Sequence, residues 1–318
     1  MSAVSTGMTV PPASATEAQP GTVAKRAKKR LTSKGATIAA LIIAVLWTTP
    51  TFGLFVSSFR PAEQVATSGW WTIFTNWGFT LENYQDVLAA GNSTLTLSGA
   101  FINSIAITVP ATVFPLVIAS LAAYAFAWID FRGKNWMFIG VFALQIVPLQ
   151  MALVPLLSMF SRGVNIGGVE IFSSLSASST YSQVWIAHTI FALPLAIFLL
   201  HNFVAEIPAE LIEAARVDGA GHGQIFFRIV LPLTMPAIAS VAIFQFLWVW
   251  NDLLVALVFA DGAVAPITKA LAELTGRYGE DWHLLTAGAF VSILVPLIVF
   301  FSLQRFFVRG LLAGSTKG

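Results

Sequence analysis

Six long apolar runs alternate with polar segments along this chain, at residues 36–59, 99–128, 136–160, 183–203, 234–260 and 284–306. A helix needs about 20 apolar residues to cross the hydrocarbon of a bilayer, and each run reaches that length. The pattern predicts an all-α integral membrane protein with six transmembrane helices. The first run follows a long tail and lacks a clear small-residue cleavage site, so it reads as a retained signal anchor rather than a cleaved signal peptide. The polar segments between the runs are unequal. Those at 61–98, 161–182 and 261–283 fall on one side of the membrane, and those at 129–135 and 204–233 on the other.

Composition agrees with the pattern. Of 318 residues, 57% are hydrophobic and 10% charged, with a mean hydropathy of +0.79; a soluble domain carries about 25% charge. No stretch remains for a large soluble domain, which argues against a membrane-anchored sensor. Cysteine is absent, which excludes disulfides, thiolate metal sites and cysteine nucleophiles. His188, His201, His222 and His283 show no short ligand spacing, so no metal site is expected.

Residues 1–24 are rich in Ala, Thr, Ser, Pro and Gly and bury too little apolar surface to order themselves. The cluster from Lys25 to Arg30 precedes a span at once, and reads as a charge anchor rather than a nucleic-acid site. The domain map is a disordered cytoplasmic tail with a basic anchor over 1–33, a transmembrane domain over 34–309 and a short tail over 310–318. With the N-terminus placed in the cytoplasm, the inside segments hold 13 of the 17 Lys and Arg residues and the outside segments 4. That bias sets the orientation, and six spans put the C-terminus inside as well.

The second inside segment, 204–233, carries the most specific pattern. Pro208 suits a helix start, Glu210 sits in the first turn where the helix dipole favours an anion, and Gly219 suits a left-handed cap. Leu211, Ile212 and Ala215 are expected to form one apolar face. A second short helix is expected from Gln224 to Val230, with Leu231 pushed toward an extended conformation by Pro232. The segment therefore reads as a compact element projecting between two spans.

Glu213-Ala214-Ala215, then Gly219, then Ile229-Val230-Leu231-Pro232 resembles, in residues and spacing, the EAA loop of the membrane subunits of bacterial ABC importers. The resemblance implies that this loop docks into a cleft on a cytoplasmic ATPase. Glu213, Ala214, Ala215, Asp218, Gly219, Ala220, Ile229, Leu231 and Pro232 would then be the coupling residues, with Glu213 pairing with a basic residue of the ATPase.

The C-terminal run from Gln304 to Gly318 is similar to the tail of the MalG-type permeases of sugar importers, departing from it at Phe306 and Leu312. That likeness covers about 36–318. It implies the type I importer permease fold in a bacterial cytoplasmic membrane, a second related permease in a heterodimer, and an ABC ATPase dimer that holds the ATP and magnesium. It also implies an extracytoplasmic solute-binding protein facing 261–283, and a tail (Gly314, Ser315, Thr316 and Lys317) that reaches the ATPase. Ser57-Ser58-Phe59-Arg60 and Ser68-Gly69-Trp70-Trp71 resemble α-glucoside permeases more narrowly.

This chain carries no phosphate-binding loop of its own. Gly219-Ala220-Gly221-His222-Gly223 lacks the last glycine of a dinucleotide fingerprint and follows a helix, not a strand. Gly133-Lys134 is followed by Asn135 and lacks the upstream glycine. No cofactor is expected here, and no catalytic residue.

Within the spans, Asp252 is the acid farthest from a membrane edge, a placement that costs about 2.5–3.5 kcal/mol and marks function. Helical spacing puts Gln245, Trp248 and Asp252 on one stripe with Asn251 beside it, a polar and aromatic surface suited to a sugar. The alternative is that Asn251 and Asp252 serve a backbone break or a neighbouring helix. His188, Gln145 and Gln150 read as satisfied interior polar groups. Pro148, Pro155, Pro194 and Pro296 are expected to kink their spans. Two other functions stay open: an ABC importer permease for a different solute, and a secondary transporter, which would need inverted repeats and more than one buried ionisable group.

Overall fold

The computed structural model describes residues 34–91, 95–175, 181–274 and 281–315, with side chains as far as residue 302. The predicted tail 1–33 lies outside the described residues. The chain divides into two compact units, Met1–Leu54 and Phe55–Gly318. Helix α1, Lys34–Ser58, supplies all the described residues of the first unit and enters the second; it shows no polar face.

The polar segment after α1 is a folded cap. It contains α2 (Ala62–Thr67), a 3-10 turn (Trp70–Phe74) and α3 (Glu82–Ala89). Arg60 is buried at its centre and donates to the Ser68 hydroxyl at 2.6 Å and the Thr72 hydroxyl at 2.9 Å. Asn83 donates to the carbonyls of Ser58 and Arg60, which ties the cap to the end of α1.

Helix α4 (Leu97–Trp128) has 32 residues and is about 48 Å long. It packs most extensively on α7 (Ser182–Ala205). Between them in sequence come α5 (Lys134–Ala143), a 3-10 turn and α6 (Leu149–Arg162). These two helices meet at a bend of 103°. The cause is local: Val147 precedes Pro148 and adopts an extended backbone, φ −69 and ψ 118, as the proline ring requires. Of the four prolines expected to kink their spans, Pro148 alone marks a break; Pro155, Pro194 and Pro296 lie inside helices. A small antiparallel hairpin, β1 (Val164–Ile166) and β2 (Val169–Phe172), follows α6. Gly167 and Gly168 turn it with φ of +60 and +86, values that glycine adopts freely.

Helix α8 (Ala209–Val217) leads to α9 (His222–Ile225), a π-turn (Phe226–Val230) and α10 (Leu231–Trp250), which run as one continuous helix. Leu231 is helical, φ −59 and ψ −48, not extended as expected from Pro232. The wider π-turn lies across Arg228, whose carbonyl would meet the Pro232 ring in a regular helix. The fifth span also ends earlier than predicted. It ends at Trp250, and α11 (Leu254–Phe259) starts after a break at 251–253. Helices α12 (Ile267–Leu274) and α13 (Trp282–Ser315) complete the chain.

Among the described residues five helices are long and apolar enough to cross a bilayer, and the bent α5–α6 pair makes a sixth crossing when counted as one span. The core falls into clusters along α4 and α7. Tyr124, Phe126, Leu200, Val204, Ile212 and Phe226 pack near α8. Ile107, Phe160, Val184, Val255 and Phe259 pack toward the opposite ends of the same helices.

Three hydrogen bonds between these helices share a register. Trp185 Nε1 donates to the Ala106 carbonyl at 3.0 Å, Gln245 Nε2 to Ala111 at 3.2 Å, and Trp250 Nε1 to Ser292 at 3.1 Å. Each acceptor lies four residues before a proline: Pro110, Pro115 and Pro296. Those carbonyls lack a helical partner because proline has no N–H. In hydrocarbon a neighbouring span can supply the donor, and for these three carbonyls α7 and α10 supply it.

Candidate functional site

The coupling candidates sit on a rigid mount. Glu210 lies in the first turn of α8, which Pro208 precedes as N-cap. Gly219 closes the helix with φ +80. The Ala220 N–H bonds back to the Ala215 carbonyl at 2.9 Å and the Gly219 N–H to Arg216 at 3.0 Å, the paired bonds of a Schellman cap. Ile212 and Ala215 pack inward, with Ile207, Ile225 and Phe226 in the same cluster. Leu211 departs from the expected apolar face and points outward, 46% exposed.

Two polar contacts fix this element to the end of α4. Tyr124 Oη and His222 Nδ1 hydrogen-bond at 2.9 Å, and Arg216 donates to the Trp128 carbonyl at 3.0 Å. Of the nine predicted coupling residues, Glu213, Ala214, Asp218, Gly219 and Pro232 are exposed; Ala215, Ala220, Ile229 and Leu231 pack against the protein's own core. Exposed Val217 and Phe227 widen the outward surface. The sequence motif therefore divides into an outward set, available to a partner, and an inward set that holds the element in place.

The predicted pathway residues divide too. Gln245 and Trp248 line a cleft of about 590 Å³ between α7 and α10, with Gln145, Phe191, Leu195 and Phe244. A second cleft, about 370 Å³, shares Gln145, Phe191 and Trp248 and reaches Pro148 at the α5–α6 bend. No lining residue of either cleft is ionisable. Gln145, read above as an interior group, thus belongs with the two α10 residues.

Asn251 and Asp252 do not join that stripe, because α10 ends before them. Asp252 Oδ2 accepts from the N–H groups of Val255 and Ala256, at 3.0 and 3.2 Å, and so caps α11. Asn251 donates to the Leu247 carbonyl at 2.7 Å and closes the end of α10. Asp252 faces a separate cavity of about 10 Å³ with Ser104, Thr108 and His188. His188 Nε2 stands 3.8 Å from Asp252 Oδ2. Both residues thus bond to the backbone on either side of the break between α10 and α11.

At the same end of the bundle, Asn103 donates to the carbonyls of Ala263 and Ala265 and accepts from the Tyr181 hydroxyl. Lys269 is buried and donates to the Ala260 carbonyl and to Asp261, each at 3.0 Å. The Lys269 hydrogen bond holds the Asp261 carboxyl below its ordinary pKa, helped by the Gly262 N–H. These contacts were not anticipated, although an amide and a lysine beside a proline-broken loop are their trace in the sequence. Gly314 and Ser315 fall in the last turn of α13 with side chains outside the described residues; Thr316 and Lys317 lie outside them altogether.

Residues 115–312 match the model of the family described as binding-protein-dependent transport system inner membrane component. The osmoprotective compounds uptake permease protein GgtD of Synechocystis sp. is 52% identical, over 88% of this chain and 91% of its own. The alpha-glucoside transport system permease protein AglG of Rhizobium meliloti is 38% identical, over 88% of this chain and 96% of its own. In fold, a chain of a bacterial ABC transporter that imports the acidic polysaccharide alginate aligns with a TM-score of 0.63, at 14% identity, over 89% of this chain and 99% of that one.

Proposed function

The chain belongs to the family of binding-protein-dependent transport system inner-membrane components, and we propose that it forms half of the membrane pathway of an ATP-driven sugar importer in a bacterial cytoplasmic membrane. It works there with a second permease, an ABC ATPase dimer that binds ATP and magnesium, and an extracytoplasmic binding protein. The permease undergoes alternating access and catalyses no chemistry itself. The observation that carries this reading is the clamped α8 element with Glu213, Ala214, Asp218 and Gly219 turned outward. A mechanical coupler needs an exposed docking face and a stiff connection to the spans, and this element has both.

The solute is neutral and rich in hydroxyls. The clefts offer amides and aromatic rings and no charge, which suits an uncharged sugar and leaves an ionic solute unpaired. Such a solute is compatible with both relatives' names, one for osmoprotective compounds and one for α-glucosides. Both termini are cytoplasmic, on the 13-to-4 charge bias.

Two experiments test this reading. Glu213→Ala and Gly219→Pro should each abolish ATP-driven uptake while the protein still inserts in the membrane; intact uptake in both would remove the coupling role. Because the chain has no cysteine, single Val217→Cys and Phe74→Cys variants report topology cleanly. Both side chains are exposed, 88% and 77%. A membrane-impermeant maleimide should label the second from outside and the first only after permeabilisation; the reverse result would invert the orientation.

A further inference from the structure

We propose that Gln245 is a specificity-determining residue whose amide is aimed by Pro115, leaving its Oε1 as a fixed acceptor for a solute hydroxyl. This inference rests on the reading of the α7–α10 cleft as the solute path.

The argument starts from Ala111. Its carbonyl is fully buried and loses its helical donor because Pro115 has no N–H. A carbonyl only accepts, so the end of the Gln245 amide that meets it at 3.2 Å is the nitrogen. That bond fixes which way the amide faces. An unrestrained glutamine presents donor or acceptor as the ligand requires, but this one cannot rotate without orphaning Ala111. Among the described residues no group donates to Gln245 Oε1, and Gln245 forms part of the cleft wall.

Trp248, one turn further along α10, lines the same cleft. The pair therefore offers one acceptor and one aromatic ring. A sugar hydroxyl donates to the first while an apolar sugar face covers the second. A solute without a donor, such as a trimethylammonium betaine, leaves Oε1 buried and unpaired, which is the arrangement that discriminates most strongly between analogues.

The test separates the aim from the prop. The full transporter, with partner permease, ATPase and binding protein, is reconstituted in proteoliposomes, and uptake of radiolabelled trehalose and sucrose is measured beside thermal stability and ATPase rate. Gln245→Leu should lower the thermal midpoint and reduce uptake by about tenfold or more, the factor set by one hydrogen bond. Adding Pro115→Ala restores an N–H for the Ala111 carbonyl. The double variant should regain the midpoint and the stimulated ATPase rate while uptake stays about tenfold down. Recovery of uptake in the double variant would overturn the proposal, since Gln245 would then be a prop alone. Failure of Pro115→Ala to restore the midpoint would overturn it by removing the lock. A wild-type complex that moves neither sugar would overturn the solute reading and this inference with it, an outcome told apart by the unmutated protein.

Discussion

Trp250 donates its indole N–H to the carbonyl of Ser292 at 3.1 Å, and Pro296 is the reason that carbonyl needs a donor from outside its own helix. The ring is also stacked near Phe246 and edge-on to Phe101, so one side chain joins α4, α10 and α13. Trp250→Phe keeps an aromatic ring and removes the donor. It should destabilise the purified protein by about 1 kcal/mol, and Pro296→Ala in that background should recover part of the loss, as read by thermal unfolding in detergent.

Gly219 has φ +80, and no atom stands within 4 Å of where a Cβ would be. Substitution by alanine is therefore a backbone effect alone, costing about 1–2 kcal/mol. Gly219→Ala should loosen the Schellman cap and raise amide exchange over α8, while leaving the spans protected. Hydrogen exchange followed by mass spectrometry reads both regions at once.

Arg60 organises the cap after α1 through the backbone and hydroxyls of α2 and the following turn. Arg60→Met removes the donors that bridge Ser68 and Thr72. Limited proteolysis should then cut within 61–76 faster than in the wild type, with the membrane spans untouched. Arg60→Lys should rescue only in part, because one ammonium cannot reproduce the guanidinium fork.

Asp261 has a lowered pKa in the folded protein through Lys269. A depressed carboxylate adds stability above its unfolded pKa, ordinarily 3.8, and that stability is lost as pH falls through the folded value. Asp261 is exposed, so the effect is small and local. Proteolytic cleavage within 261–274 should quicken as pH drops below about 4 and should be less pH-dependent in Asp261→Asn.

The long periods were legible in the chain. Apolar runs of span length located α1, α4, α7, α10 and α13, and Glu210 and Gly219 announced the two ends of α8, because those signals are local. The breaks were harder. Val147–Pro148 carried a proline signal, yet three other prolines carried the same signal without breaking a helix. Nor could the chain show which carbonyls freed by proline find a donor elsewhere, since Trp185, Gln245 and Trp250 are 75, 130 and 46 residues from Pro110, Pro115 and Pro296. The helical stripe joining Gln245 to Asp252 failed because periodicity holds only while the helix continues. The sequence leaves Asp252 open between a pathway acid and a group serving a backbone break; in the fold it caps α11.

The π-turn at Phe226–Val230 has the form of a single surplus residue in an otherwise regular helix. One residue advances a helix by about 100°. The phase between the docking face and the cleft wall is therefore written in a residue count. The wider turn absorbs that advance, so deleting one residue from 226–230 would let the helix close regularly, with α8 and its outward acids still in phase with α10. Deleting one residue between Leu231 and Gln245 instead would turn α8 and its acids relative to the cleft wall by roughly a quarter of a circle.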